Sequence, residues 1–310
     1  MGVMDTLSHT LIGLTLSRLD TARDLGAVAA VTLTASSLLP DIDVVSHAFG
    51  STSYLKHHRG ITHGLAVLPL EAAALSGLLL AVWPAARDVG FWTLFALSLA
   101  AMVVHILFDI LTPYGTKILL PFHSHPVTTN SMPVFEPFLL VSTASGLYFS
   151  YAQTRLAHPL ALAILGLWII FFAFYGATKV KAEALLKRHA GPGVQDSDTF
   201  PVPGMPLVWL CVVRKRGHYE TFSVNVLTNR KNHHRSYKPN PFPKELEHSR
   251  TAQVFRHFAR HFCTEKRIEG GNRHYTIRDL RFDFPYRRRF FQWEITIDRK
   301  GRVLKEHFRL

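Results

Sequence analysis

The sequence predicts an α-helical integral membrane bundle of four to six helices followed by a small soluble α+β domain. Two runs, Phe91 to Leu111 and Pro159 to Thr178, are apolar over about 20 residues each, enough to cross a hydrocarbon core of roughly 30 Å. Charge is divided just as sharply along the 310 residues. Before Lys179 there are 7 Lys and Arg against 9 Asp and Glu, and from it onward 28 against 13, so the net +13 separates into −2 and +15. Beyond Ala190 the pattern changes again, to short aromatic and β-branched runs with partial alternation.

Taken in order, Leu7 to Leu19 and Leu25 to Leu39 are short apolar helices, about 13 to 15 residues each and so about 20 to 23 Å long. Such segments tilt or embed against neighbours. Leu65 to Trp83 is a longer span whose one charge is Glu71, and Phe138 to Ala152 is another short segment. With the two long runs these make six helices. The start, Met1-Gly2-Val3-Met4-Asp5, lacks the basic region and cleavage site of a secretory signal, so the first apolar segment is expected to be retained. Cys211 and Cys263 form no pair motif, which suits a reducing compartment and excludes a disulfide framework.

The basic tail belongs on the cytoplasmic side, beside an anionic leaflet, under the positive-inside bias. Nucleic acid is the less favoured partner, because positive charge alone does not specify it. Working back through the spans places the N-terminus, the loop from Pro40 to Gly64 and the loop from Thr112 to Pro137 in the cytoplasm, in agreement with Lys56, Arg59 and Lys117. The expected domains are a membrane part over residues 1–180, a linker over 181–206 and a basic cytoplasmic part over 207–310. The Gly, Pro, Asp and Ser content from Ala190 to Pro206 marks the linker. In the tail, Leu207 to Arg214, Tyr219 to Leu227, Tyr275 to Phe284, Phe291 to Asp298 and Val303 to Phe308 read as strands, and Glu245 to Phe262 as one helix.

Within the apolar part, side chains that bind metal are concentrated at His9, Asp41, Asp43, the group His57-His58-Arg59-Gly60-Ile61-Thr62-His63, and the pair His105 and Asp109. In the expected topology all of them fall at one face of the membrane, although the topology was derived from Lys and Arg. His105 and Asp109 lie four residues apart and so project from one face of a helix. Imidazole with carboxylate suits Zn²⁺, Mn²⁺ or Fe²⁺ better than Ca²⁺. A catalytic site would use the ion to activate water and polarise a phosphoryl or carbonyl oxygen. Arg59 would grip an anionic group, and Asp41 or Asp43, with the choice left open, would take the proton.

Each piece also has a plainer reading: an interfacial His9, a helix stop at Pro40-Asp41-Ile42-Asp43, a solvated His57-His58-Arg59 loop, a mutual hydrogen bond between His105 and Asp109. A closed ion that staples helix ends, with a partner- or lipid-binding basic domain, is the non-enzymatic alternative. His123, His125 and Glu136 belong to a Pro-rich covering loop. His233-His234 with Arg230, Lys231 and Arg235 reads as solvated surface, and Arg287-Arg288-Arg289 beside Phe290 and Phe291 as a headgroup contact or a turn.

The run Met4-Asp5-Thr6-Leu7-Ser8-His9-Thr10-Leu11-Ile12-Gly13 is followed by Pro40-Asp41-Ile42-Asp43, then His58-Arg59-Gly60-Ile61-Thr62-His63, then His105-Ile106-Leu107-Phe108-Asp109 with Thr112 and Gly115. In that order these motifs resemble the YdjM-like family of bacterial inner-membrane proteins, described as metal-dependent hydrolases and named from a LexA-regulated member. The resemblance covers about Met4 to Thr178. It implies a membrane-bound hydrolase with His9, Asp41, Asp43, His58, His63, His105 and Asp109 at the family's polar motif positions and a divalent ion, Zn²⁺ or Mn²⁺ foremost. Ser8 stands where Thr is more usual. The His105 and Asp109 spacing also resembles the helical motif of zinc-dependent phospholipases C and related nucleases, which points to a phosphoester or lipid-derived substrate.

Overall fold

The structure, a computed structural model, describes residues 2–238, 242–247, 249–284 and 291–309. It divides into two compact units, residues 1–46 with 57–176 and residues 47–56 with 177–310. The chain begins with α1 (Gly2–Leu16), a short α2 (Asp20–Arg23) and α3 (Gly26–Leu38). Pro40 has no amide hydrogen and its ring crowds the carbonyl one turn back, so the α-helix ends and the chain tightens into a 3₁₀-helix over Leu39–Phe49. Then follow α4 (Ser51–His57), a 3₁₀ turn at Ile61–His63, α5 (Leu68–Val82), α6 (Pro84–Val89), α7 (Phe91–Leu111), α8 (Pro137–Ala152) and α9 (Ala157–Ala190). Pro at the start of α5, α6 and α8 occupies the turn where its missing donor costs nothing.

All six apolar segments read from the sequence are helical. Among the described residues, Gly26–Phe49, Phe91–Leu111 and Thr154–Ala190 are each long and apolar enough to cross a membrane, and Ser51–His63 with Leu68–Val82 adds a fourth if counted as one broken span. In the first unit, Ala29, Leu33 and Ala101 share one core cluster, Val28 and Leu94 a second, and Leu68, Ala72, Met102 and Ile106 a third. These pairings run α3 parallel to α7 and α5 antiparallel to it. Small residues let α1 approach α3, since a Cβ on Gly13 would lie 2.8 Å from Thr34 Cα. The C-terminal ends of α3 and α7, the start of α5 and the first half of α1 are thereby brought to one end of the bundle.

The second unit contains two four-stranded antiparallel meanders. The first is β1 (Val194–Pro201), β2 (Val208–Lys215), β3 (His218–Asn225) and β4 (Arg230–Tyr237). After α10 (Arg250–Phe258) comes the second: β5 (Phe262–Glu269), β6 (Asn272–Asp279), β7 (Gln292–Ile297) and β8 (Val303–Arg309). Gly270 and Gly271 link β5 to β6 with both φ angles positive, the conformation of a tight two-residue hairpin. Around α10, Phe242, Phe255, Tyr275, Ile277, Trp293 and Ile297 form a buried apolar core.

Two sequence expectations change here. The segment read as a linker over 181–206 holds the end of α9 and all of β1, whose polar run pairs with β2 from Val194 to Pro201. The helix expected from Glu245 to Phe262 is restricted to α10 and gives way to β5. The stretch around His233-His234 is exposed along much of its length, as the sequence suggested, and forms the edge strand β4, hydrogen-bonded to β3. Pairing within the sheet overrides weak local propensity in each strand. Arg287-Arg288-Arg289 and Phe290 lie outside the described residues.

Candidate metal centre

The end of the bundle where α3 and α7 terminate gathers His9, Asp41, Asp43, His58, His63, His105 and Asp109. On α7, His105 and Asp109 face inward one turn apart, both about 1% exposed. Asp41 and Asp43 project from the 3₁₀ continuation of α3, and His63, fully buried, lies in the 3₁₀ turn before α5. His63 Nε2 is 3.1 Å from Asp109 Oδ2, 3.3 Å from His105 Nε2 and 3.5 Å from Asp41 Oδ1. His105 Nε2 is 3.5 Å from Asp109 Oδ2 and 3.8 Å from Asp41 Oδ1. Four ligands at 2.0–2.1 Å around a tetrahedral ion are about 3.3 Å from one another, so this spacing fits such an ion.

Tautomer chemistry strengthens that fit. His105 Nδ1 lies 2.7 Å from the Ser37 carbonyl, which can only accept, so Nδ1 carries the hydrogen. In the neutral ring Nε2 then presents a lone pair towards Asp41, Asp109 and the His63 ring, the orientation that a metal ligand needs. A backbone carbonyl that fixes the far nitrogen is also the usual outer partner of a metal-binding imidazole. Asp41, His63, His105 and Asp109 form one candidate ion-binding group, and Asp41, Asp43 and His58 form a second.

Arg59 completes the electrostatics. Its φ of +51° is left-handed, rare for a residue with a side chain, and a Cβ on the following Gly60 would collide with the His57 carbonyl. The turn aims the Arg59 amide at Asp43 Oδ2, 2.6 Å away, and drives the guanidinium inward. Nη2 lies 2.9 Å from Asp109 Oδ1, while Nη1 donates to the Thr112 hydroxyl at 2.6 Å and to the Asp109 carbonyl at 3.2 Å. Arg59, read from the sequence as a grip for an anionic substrate, is 1% exposed and directs its guanidinium at Asp109. It lies against the ring of Tyr114, which also meets His58 edge-on.

The remaining expected ligands take distinct places. His9 stacks on His105 with ring centroids 3.7 Å apart, and its Nε2 is 3.3 Å from Asp109 Oδ1, the oxygen that Arg59 also holds. His58 Nδ1 is 3.2 Å from Asp43 Oδ1. His123 and His125 are exposed and join neither candidate group, and Glu136 accepts a 2.6 Å hydrogen bond from the Tyr175 hydroxyl. The Ser37 carbonyl and Tyr114 had no functional signal of their own in the sequence, whereas Thr112, which follows His105 and Asp109 in the motif, accepts from the Arg59 guanidinium. Beside His9 and Thr112 a cavity of about 40 Å³, bounded also by Ser8, Phe108, Glu136 and Trp168, has room for a few waters.

Comparison with known proteins agrees with the motif order. Uncharacterized protein YfhP of Bacillus subtilis is 29% identical over 180 residues, which cover 56% of this chain and 53% of YfhP. The chain thus spans about half the length of that relative. No solved structure matches. The family model of the YdjM inner membrane protein matches residues 4–180, more than half of the chain and all of the polar cluster. The chain belongs to the YdjM inner membrane protein family.

Proposed function

We propose that the protein is a membrane-bound, metal-dependent hydrolase of a phosphoester or lipid-derived substrate, working at the cytoplasmic face of the bacterial inner membrane. The observation that carries this reading is the convergence of Asp41, His63, His105 and Asp109 at ion-binding separations, with the His105 lone pair turned inward by Ser37. A bound Zn²⁺ or Mn²⁺ would supply an acidified water and a polarised phosphoryl oxygen. The chain's own groups do the rest. Ser37 and His9 set the His105 ring, and Arg59 holds Asp109 Oδ1 so that Oδ2 faces His63 and His105. In hydrolysis the water oxygen bonds to phosphorus and the ester P–O bond breaks. The water's proton passes to the Asp41 and Asp43 pair, and the leaving oxygen takes a proton from solvent. The net +15 from Lys179 onward suits a cytoplasmic domain beside anionic headgroups.

The burial of all four groups favours a second reading, a closed ion that only staples helix ends. Both are tested by assaying detergent-purified protein on simple and lipid phosphoesters, with elemental analysis in parallel, against Asp109→Ala and His63→Ala. Hydrolysis should fall by at least about 100-fold together with metal content. Metal lost without any hydrolysis to lose supports the structural ion. Unchanged metal and unchanged hydrolysis in both variants contradict the metal reading itself.

A further inference from the structure

We infer that the centre is built for two divalent ions that share Asp41, the second held by Asp43 and His58; this rests on the metal reading above and extends it. Asp41, Asp43 and His58 offer ligand atoms that all lie within 4.8 Å of one another, as do those of the first group, and Asp41 is common to both. Asp43 Oδ1 and His58 Nδ1 are 3.2 Å apart, again close to the edge of a coordination polyhedron. The second oxygen of Asp43 receives the Arg59 amide, the kind of outer hydrogen bond that holds a ligand carboxylate in place. His63 stands between the groups, with Nε2 towards Asp109 and Asp41 and Nδ1 3.7 Å from Asp43 Oδ2. A shared carboxylate is the usual link between ions roughly 3.5–4 Å apart, a spacing that lets both act on one displacement at phosphorus.

Charge ranks the two ions. Asp41, Asp43 and Asp109 bring three negative charges against the one guanidinium of Arg59, so a single divalent ion with neutral imidazoles brings the cluster to zero. A second ion leaves it at +2, a charge that an anionic phosphoester would balance. The first ion is therefore the tight one. The second, held where the side chains of His58 and Asp43 are 9% and 6% exposed against 0% and 1% for His63 and Asp109, is the exchangeable one.

The test is a Mn²⁺ titration of the full chain in detergent after chelator stripping, with bound ions counted by elemental analysis and spin coupling read by electron paramagnetic resonance. The unaltered protein should bind two Mn²⁺ per chain, the second at least about tenfold more weakly, with a coupled signal at saturation. Asp43→Asn with His58→Gln should bind one and lose the coupling, and His58→Gln alone, which keeps a polar side chain of similar length, should weaken only the second ion. One uncoupled ion in both the unaltered chain and the double variant overturns the shared centre and leaves the single-ion reading standing. Two coupled ions retained by the double variant overturn the assignment of Asp43 and His58. No ion bound by any folded form overturns both readings.

Discussion

Two buried arginines, one in each unit, show how the same ion pair can serve different ends. In the second unit Arg281 and Asp279, each 1% exposed, form a closed pair: Nε reaches both carboxylate oxygens at 3.0–3.1 Å, and Nη2 reaches Oδ2 at 2.6 Å and the Phe258 carbonyl at 2.8 Å. One guanidinium meets one carboxylate at hydrogen-bonding distance. In the first unit Arg59 is equally buried, but the Asp109 it holds belongs to a cluster with Asp41, Asp43 and the His105 imidazole, whose Nε2 lies 3.5 Å from Asp109 and 3.8 Å from Asp41. Burial of unbalanced charge is costly, so a balanced pair is explained by folding alone, whereas a cluster with more carboxylates than guanidinium groups is suited to a bound cation.

The contrast is sharpest on removing a charge. Asp109→Ala or His63→Ala should abolish metal binding at the first site, with at least about a 100-fold loss of affinity in titration. Arg281→Ala should leave metal content untouched but destabilise the C-terminal sheets by about 3–5 kcal/mol, since Asp279 stays buried without its partner. An Arg281→Ala protein that melts like the unaltered chain would break the comparison. Asp41→Asn should act with opposite sign in the two states, raising thermal stability of the chelator-stripped protein by on the order of 1 kcal/mol while lowering that of the metal-loaded protein. Equal effects in both states would mean that no excess charge is present. Gly13→Ala, which forces α1 away from α3 and so moves His9 off His105, should cost about 1–3 kcal/mol in thermal unfolding.

The smallest effect is expected at the surface of the second unit. Burial acts to raise the carboxyl pKa of Glu220, but hydrogen bonds from Lys215 and Lys231 outweigh it and hold the group down at about 2, against 4.5 unfolded. A depressed folded value means that this contribution is fully present above about pH 4.5 and is lost as pH falls towards about 2. Acid unfolding of Glu220→Gln should therefore be flatter over that window, by an amount reduced by solvent screening. An identical acid profile for the variant would remove Glu220 from the account.

Much of the site was legible because the membrane makes polar residues conspicuous. Asp41, His63, His105 and Asp109 stand out in apolar surroundings, and the four-residue step on α7 already put two of them on one face. The Ser37 carbonyl left no trace, since every residue carries one, and the inward turn of Arg59 depends on a left-handed backbone that its side chain disfavours. In the tail, β2, β3 and β7 carry apolar runs and were read close to their bounds. The edge strands β1 and β4 hold mostly polar residues, and their strand character comes from the neighbour each pairs with.

The central claim, that the cluster holds a divalent ion, is tested most directly by elemental analysis of detergent-purified protein beside a variant with Asp41, His63 and Asp109 all changed to Ala. Stoichiometric Zn or Mn in the unaltered chain, lost in a folded variant, is the predicted result. An unaltered chain that takes up no more metal than the variant, even after reconstitution with Zn²⁺ and Mn²⁺, would contradict it.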